Sequence, residues 1–259
     1  MEFMDILSFL SRWLHIAAGI LWIGLLYWFN FVNIPFAATM DGDTKKKVVP
    51  ELLPRALYFF RWGAAYTWFT GLLLLALVYY HGGLMFDQGV EPWTTGSYVM
   101  LAVVFLMFPV YDALAKSGLG KNLKVFGVLA FVVVGVIMYL MITFGMFGYR
   151  AYLIHTGAMF GTLMAANVWQ RIWPVQKKVI AAIKEGTAPD AALVALAGQR
   201  SRHNVYMSVP LIWTMVNMHT VTLATENPLR NTLVFLTVVL IGWGLVTLMY
   251  KKAGQVKGL

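Results

Sequence analysis

The chain has 259 residues, of which 60% are hydrophobic and only 12% are charged, against about 25% charged in an average soluble domain. This composition excludes a soluble globular protein. The formal net charge of +9 is carried by loops without interleaved aromatic residues, which argues against nucleic-acid binding. The sequence contains no cysteine, which excludes disulfides, thiolate metal sites, iron–sulfur clusters and the covalent attachment of a c-type haem.

Apolar stretches long enough to cross about 30 Å of hydrocarbon recur along the chain. They predict an all-α, polytopic transmembrane helical bundle of about seven spans. The first stretch follows an acidic N-terminus with no cleavage signal, so we expect it to remain in the mature protein. The predicted spans are, in chain order, about 6–32, 55–80, 97–115, 123–147, 151–173, 204–224 and 229–250.

A polar segment at about 174–203 separates spans 5 and 6. Its pattern predicts a helix that stops at Gly186, followed by a second short helix capped by Thr187. Lysine and arginine are concentrated in alternate loops and in the C-terminal tail, which predicts that the N-terminus faces out and the C-terminus faces in. Residues 1–259 are therefore expected to form a single integral membrane domain in which the polar segment is cytoplasmic. Asp112 and Lys116 are expected to pair at the inner end of span 3.

Three of the five histidines fall in the outer halves of predicted spans. They are His15 on span 1, His155 on span 5 and His219 on span 6, while His81 marks the outer end of span 2. Ionisable residues within a membrane are costly and usually functional. Three histidines at similar depth are what a metal or haem site between helices requires, and b-type haem is the natural candidate. Copper or another ion, and structural hydrogen bonds between helices, are the alternatives.

Two of these three histidines would be the axial ligands of the haem iron, and the sequence leaves the pairing open. The third would serve a second haem together with His81, or a substrate site, so one or two haems are expected. Arg12 and Arg150 would pair with propionates, although interfacial snorkelling explains both equally well. Small residues beside His15 and His155 leave room for a macrocycle or simply let helices pack. Asn30 and Asn167 would be packing amides or a second polar site.

Three blocks of this sequence resemble the bacterial membrane-bound urate oxidase family in its N-terminal membrane domain. The first block is residues 12–31, RWLHIAAGILWIGLLYWFNF, at the first predicted span. The second is LPRA at 53–56 with FRWGA at 60–64. The third is GAMFGTLMAANVW at 157–169, followed by WPVQKK at 173–178. The likeness preserves the order of the blocks and covers nearly the whole chain.

The resemblance implies a multi-pass protein of the bacterial inner (cytoplasmic) membrane that oxidises urate to 5-hydroxyisourate. In that family the electrons pass to a cytochrome c domain fused at the C-terminus. This sequence ends after Lys251 and Lys252 without a C-x-x-C-H motif, so we expect a separate cytochrome c or respiratory-complex partner. The sequence identifies no urate pocket, and the catalytic residues stay unassigned. The alternatives are a haem-binding or structural subunit of a respiratory complex, and a metal or small-molecule transporter.

Overall fold

The computed structural model describes residues 3–90 and 93–256, and the regular secondary structure of these residues is helical throughout. The α-helices are α1 (Phe3–Tyr27), α2 (Ile34–Thr39), α3 (Gly42–Leu74), α4 (Thr95–Leu106), α5 (Phe108–Lys116), α6 (Leu123–Thr143), α7 (Tyr149–Asn167), α8 (Trp173–Glu185), α9 (Ala191–Asn217) and α10 (Pro228–Ala253). Short π-helical segments continue α1, α3 and α7 at Trp28–Asn33, Leu75–His81 and Val168–Ile172. The prediction of an all-helical chain is confirmed.

Four continuous helical stretches within the described residues are long and apolar enough to cross a membrane: Phe3–Thr39, Gly42–His81, Leu123–Thr143 and Pro228–Ala253. The helices α4 and α5 meet at a bend of 48° and would make a fifth span together. The bend has a simple cause, because Pro109 in the first turn of α5 has no N–H to donate. At the end of α5, the predicted ion pair between Lys116 and Asp112 is confirmed at 2.7 Å.

The helices α7 and α9 were predicted as spans 5 and 6. Within the described chain, neither is among the helices that are long and apolar enough to cross a membrane. For α7 the reason is its polar residues. The helix carries His155, Thr156 and Asn167, all of them buried, and no residue from 151 to 167 is exposed. The count of seven spans and the orientation of the termini stay predictions.

The helix α3 starts well before the predicted start of span 2. It begins at Gly42 and runs through Pro50 and Pro54, which the sequence pattern had placed ahead of the span. The cause is a side-chain cap at Asp41, whose Oδ1 accepts a hydrogen bond of 2.7 Å from the backbone N–H of Thr44. The same bond lowers the pKa of the Asp41 carboxyl, because it stabilises the ionised form.

The polar segment also differs in part from its prediction. The helix α8 does stop at Gly186, which adopts the left-handed conformation with φ of 76°. The cap of the next helix is Asp190 rather than Thr187, because Oδ1 of Asp190 accepts from the N–H groups of Ala192 at 2.7 Å and Leu193 at 3.3 Å. The helix is not short either, since α9 continues to Asn217. The single-domain organisation of the chain stays a prediction.

The described residues divide into two compact units. Unit 1 falls within Met1–Leu73, Met164–Ser208 and Gly244–Leu259, and unit 2 falls within Leu74–Leu163 and Val209–Trp243. In unit 1, α1 and α3 approach closely at Gly63, where an added Cβ would lie 3.3 Å from the backbone N and Cβ of Trp22. In unit 2, α7 approaches α9 at Gly157, where an added Cβ would lie 3.0 Å from Cε of Met215. Both contacts explain why glycine occupies these positions.

Candidate functional site

In unit 1 the imidazole of His15, on α1, is held against α3. Its Nδ1 lies 2.8 Å from the carbonyl oxygen of Thr67 and 3.2 Å from Oγ1 of Thr70. A carbonyl oxygen can only accept, so Nδ1 carries the proton and Nε2 carries the lone pair. The Thr70 hydroxyl donates to the carbonyl of Tyr66 at 2.6 Å, which leaves its oxygen free to accept from His15. Within the described residues nothing hydrogen-bonds to Nε2 of His15.

Glycine makes room for this imidazole. An added Cβ at Gly71 would lie 3.0 Å from Cε1 and 3.4 Å from Nδ1 of His15. One turn further along α1, an added Cβ at Gly19 would lie 3.8 Å from Cγ2 of Thr67, which is an ordinary contact. The sequence analysis singled out His15 but missed Thr67, Thr70 and Gly71. The signal was the run TWFTG at residues 67–71, two threonines and a glycine within an aromatic stretch.

The arrangement around His15 fits an iron ligand. A histidine that binds a metal typically donates its other ring N–H to a carbonyl oxygen, which fixes the tautomer and the ring orientation. That is the geometry at Nδ1, and it leaves the lone pair of Nε2 available. The neighbouring Ala18 and Gly19 are small, and His15 itself is only half-buried. The donor chemistry at Nε2 is therefore that of a metal ligand, and haem binding at His15 stays a prediction.

The two arginines predicted to bind propionates are accessible. Arg12 is exposed on α1, one turn before His15, and Arg150 is half-buried in the first turn of α7. Neither forms an ion pair within residues 3–90 and 93–256. Both side chains are therefore available to an anionic group, and their role as propionate partners stays a prediction.

In unit 2, His155 is completely buried on α7. Its Nδ1 lies 2.7 Å from the carbonyl oxygen of Ala151, so Nδ1 carries the proton. Its Nε2 lies 3.0 Å from the hydroxyl of Tyr80, and with Nδ1 protonated the neutral ring accepts the hydrogen bond that Tyr80 donates. Both ring nitrogens of His155 are thus engaged, in contrast to those of His15.

Three aromatic rings surround His155. The ring centroids of Tyr79, Tyr80 and Phe147 lie 5.9, 5.7 and 5.2 Å from that of the imidazole. Both tyrosines belong to the π-helical segment Leu75–His81. π-helical turns are rare in proteins overall, and those that occur often lie at functional sites. Sequence reasoning missed these rings. The tyrosine pair directly before His81, at the end of a predicted span, was the available signal.

As a haem ligand, His155 does not fit in this arrangement. An iron atom at Nε2 would need the lone pair that accepts the hydrogen bond from Tyr80. The Tyr80 hydroxyl would have to leave the fully buried ring. The ligand role assigned to His155 from the sequence therefore stays a prediction that requires Tyr80 to move.

The prediction that His219 lies within span 6 was wrong. The helix α9 ends at Asn217, and His219 lies in the exposed turn that follows. The sequence concealed this end, because no glycine or proline occurs between Asn217 and Pro228. His81 is the last residue of its π-helical segment and is also exposed. Across the described ranges, no group of three or more histidine, aspartate or glutamate residues is arranged to hold a metal ion.

The predicted amides form a buried network in unit 1. The side-chain amide of Asn30 donates to the carbonyl of Leu26 and to Oγ of Ser201, both at 2.8 Å. Its Oδ1 accepts from the hydroxyl of Tyr250 at 2.9 Å. This mutual satisfaction of polar groups is what the packing alternative requires.

The second predicted amide, Asn167, is fully buried and donates to Oδ1 of Asn204 at 2.9 Å. Asn204 in turn donates to the carbonyl of Met164 at 3.0 Å. The sequence did not mark Asn204, or the burial of Arg200 and His203 on the same helix. Polar residues in the middle of α9 are therefore packed against protein.

Comparison with protein families matches this chain, over residues 39–257, to the family model described as Urate oxidase N-terminal. The matched range covers most of the chain and includes Tyr80 and His155, whereas His15 lies before it. Comparisons with curated proteins and with solved structures give no significant match.

Proposed function

We propose that this chain, which belongs to the urate oxidase N-terminal family, is a membrane oxidoreductase that oxidises urate and delivers the electrons to a cytochrome c. In this proposal His15 would hold a b-type haem, which would supply one-electron redox chemistry. Family membership and the long apolar helices support a urate-oxidase-like membrane protein. The haem, its ligand and the electron acceptor are the parts of the proposal that need an experiment.

The single observation that carries the haem proposal is the tautomer of His15. The Thr67 carbonyl keeps the proton on Nδ1 and fixes the orientation of the ring, so Nε2 presents its lone pair. A haem bound there supplies a one-electron redox centre. Arg12, one turn away and free of ion pairs within the described chain, would hold a propionate through charge-assisted hydrogen bonds. The proposal needs only one axial ligand from this chain and leaves the second unassigned.

The proposed reaction balances as two one-electron transfers. Urate and one water molecule give 5-hydroxyisourate, two protons and two electrons. Each electron reduces one ferric cytochrome c to the ferrous form, so two molecules of cytochrome c are consumed for each urate. The acceptor is a separate protein in this proposal.

The test begins with the detergent-purified protein from haem-supplemented growth. A pyridine haemochrome assay and a reduced-minus-oxidised spectrum report the haem type and the haem content per chain. We expect a b-type signal that is lost in His15→Ala. His219→Ala is the matched control, because that residue lies in an exposed turn, and it should keep the signal. An intact but colourless wild-type protein would overturn the haem assignment.

The urate step is tested separately on haem-loaded protein. Urate should reduce added ferric cytochrome c in a ratio of two per urate, and His15→Ala should abolish this reduction. If the haem-loaded protein leaves cytochrome c oxidised in the presence of urate, the substrate assignment is wrong. An electron-transfer subunit of a respiratory complex would then be the better description.

A further inference from the structure

The guanidinium of Arg61, on α3, lies against aromatic rings of unit 1. Its Cζ lies 4.0 Å from the ring centroid of Trp173, 5.8 Å from that of Trp169 and 5.6 Å from that of Tyr58. A cation within about 6 Å of an aromatic centroid is attracted to the face of the ring. The indole Nε1–H of Trp169 donates to the backbone carbonyl of Arg61 at 3.1 Å, which fixes α3 against the π-helical segment Val168–Ile172. Contacts with neutral groups therefore set the position of the Arg61 charge.

Arg61 has no counter-ion among the described residues. Its side chain forms neither an ion pair nor a hydrogen bond with any of them. Of its three nitrogens, Nε is the one that is buried without a hydrogen-bond partner, so the two terminal nitrogens are open to a ligand. A guanidinium that stacks on an aromatic ring keeps its in-plane N–H groups available, and their fork matches the oxygens of a phosphate group.

A second cation converges on the same indole. Nζ of Lys177, on α8, lies 5.4 Å from the ring centroid of Trp173. Because Arg61 also lies close to that centroid, the two cationic groups are within about 10 Å of each other, the screening length of 0.1 M salt. Lys177 likewise has no ion pair in the part of the chain that the structure describes. Two like charges at this separation repel each other, and an anion bound between them would remove the repulsion.

These two cations lie at the edge of apolar segments. Residues 62–80, which follow Arg61 on α3 and its continuation, include no charged residue. A helix of that length crosses about 30 Å of hydrocarbon. Three tryptophans, the residue type enriched where membrane meets water, gather beside Arg61 at positions 62, 169 and 173. The position is therefore that of a membrane interface, on the side that the loop charges predict to be cytoplasmic.

An exposed apolar stripe runs along α3 away from Arg61. Its members follow one another at spacings of four, three and four residues, so they share one face of the helix. They are Trp62, Tyr66, Phe69 and Leu73, and each is between 36% and 67% exposed. The stripe begins beside the cations, because the ring of Trp62 packs edge-on against that of Trp169 at 5.5 Å between centroids. A ligand that occupies both features has an anionic head and a long apolar tail.

We propose that Arg61 and Lys177 bind the phosphate of an anionic phospholipid, whose acyl chain lies along the stripe from Trp62 to Leu73. The terminal nitrogens of Arg61 donate to the phosphate oxygens, and the ammonium group of Lys177 offsets the remaining negative charge. Trp173 holds both cations in place through its ring. Basic pockets between membrane helices bind anionic lipid headgroups in this way. A zwitterionic lipid fits less well, because its own ammonium group would approach the two cations.

This inference goes beyond the proposed function and depends on neither urate nor haem. Its test reads lipid binding alone, so failure of urate turnover or of haem binding would leave it standing. Failure of the lipid test would in turn leave the proposed oxidoreductase standing.

The experiment uses the full chain, delipidated in a non-ionic detergent. The protein is titrated with phosphatidylglycerol or with phosphatidylcholine of the same acyl chains, and native mass spectrometry counts the bound lipid. We expect phosphatidylglycerol to bind at a concentration at least about fivefold lower, the factor that one interfacial cation contributes toward an anionic lipid. Equal affinities for the two lipids would overturn the proposal.

Lys177→Gln tests the site with little risk to the fold, because Lys177 is exposed. The preference for phosphatidylglycerol should fall by about fivefold in this variant. Lys178→Gln is the matched control. It removes the same charge from the next residue of α8, which is also exposed and contacts no aromatic ring of the described chain, and it should keep the preference. Equal losses in the two variants would indicate diffuse attraction to a basic surface and overturn the site.

Arg61→Lys tests the guanidinium itself. This variant keeps the charge and removes the planar fork, so the preference for phosphatidylglycerol should fall. An unchanged preference in protein whose thermal denaturation matches the wild type would remove Arg61 from the site. Inorganic phosphate in millimolar excess should leave phosphatidylglycerol bound, because phosphate has no tail to occupy the stripe. Displacement by phosphate would assign the site to the free anion and overturn the lipid assignment.

Discussion

Gly71 lies directly against the imidazole of His15. An added Cβ at position 71 would come within 3.0 Å of Cε1 and 3.4 Å of Nδ1. The ring is anchored on the same helix by its hydrogen bond to Thr67, so it cannot retreat without losing that bond. The helix α3 therefore both fixes the tautomer of His15 and sets how closely the ring approaches.

The first prediction follows from that contact. Gly71→Ala should displace the imidazole, weaken the bond from Nδ1 to Thr67 and reduce the haem content per chain. Gly24→Ala is the control on α1, because an added Cβ there meets no atom within 4 Å. The measurement is the pyridine haemochrome assay on both variants. Equal haem content in the two variants would mean that the position of the His15 ring does not matter for binding.

The second prediction concerns the contact between α7 and α9 in unit 2. An alanine at position 157 would collide with Oγ1 of Thr214 and approach Cε of Met215 to 3.0 Å, whereas one at 161 would meet Leu211 at 3.6 Å. Gly157→Ala should destabilise the protein by about 1–3 kcal/mol, the usual cost of overpacking. Gly161→Ala should be neutral or gain up to roughly 1 kcal/mol from helix propensity. Thermal denaturation in one detergent compares them, and the reverse order would contradict this packing.

The third prediction concerns the amide network in unit 1. Tyr250→Phe removes the hydroxyl that donates to Oδ1 of Asn30 and leaves a buried acceptor unsatisfied, which should cost about 1–3 kcal/mol. Tyr206→Phe is the control, because its hydroxyl bonds Thr247 at an exposed position. We expect the control to stay within about 0.5 kcal/mol of the wild-type protein. Equal destabilisation of the two variants in a denaturation series would show that burial of Asn30 does not matter.

Apolar length is the property that a single sequence reports best, and it located α1, α6 and α10 to within a few residues. Apolar length did not predict where α3 begins or where α9 ends. The start of α3 depends on the cap at Asp41, and the end of α9 at Asn217 carries no glycine or proline signal. Length and hydropathy do not encode either feature.

The partners of the histidines were beyond sequence reasoning for a different reason. His15 and Thr67 are 52 residues apart along the chain, and Tyr80 and His155 are 75 apart. Depth in the membrane indicated that the histidines mattered, but not which helix each one faces. The distinction between a histidine with a free lone pair and one with an engaged lone pair depends on that contact alone.

The fourth prediction decides between the two caps assigned to the segment after α8. Asp190→Ala should remove the acceptor for two backbone N–H groups at the start of α9 and cost roughly 1 kcal/mol. Thr187→Ala should change little, because its hydroxyl only donates to the carbonyl of Ala182 at an exposed site. Thermal denaturation of both variants and of Asp190→Asn makes the comparison, since asparagine caps about as well as aspartate. If Thr187→Ala were the destabilised variant, the helix would begin where the sequence pattern placed it. If Asp190→Asn kept full stability while Asp190→Ala lost it, the cap would act through its hydrogen bonds and not through its charge.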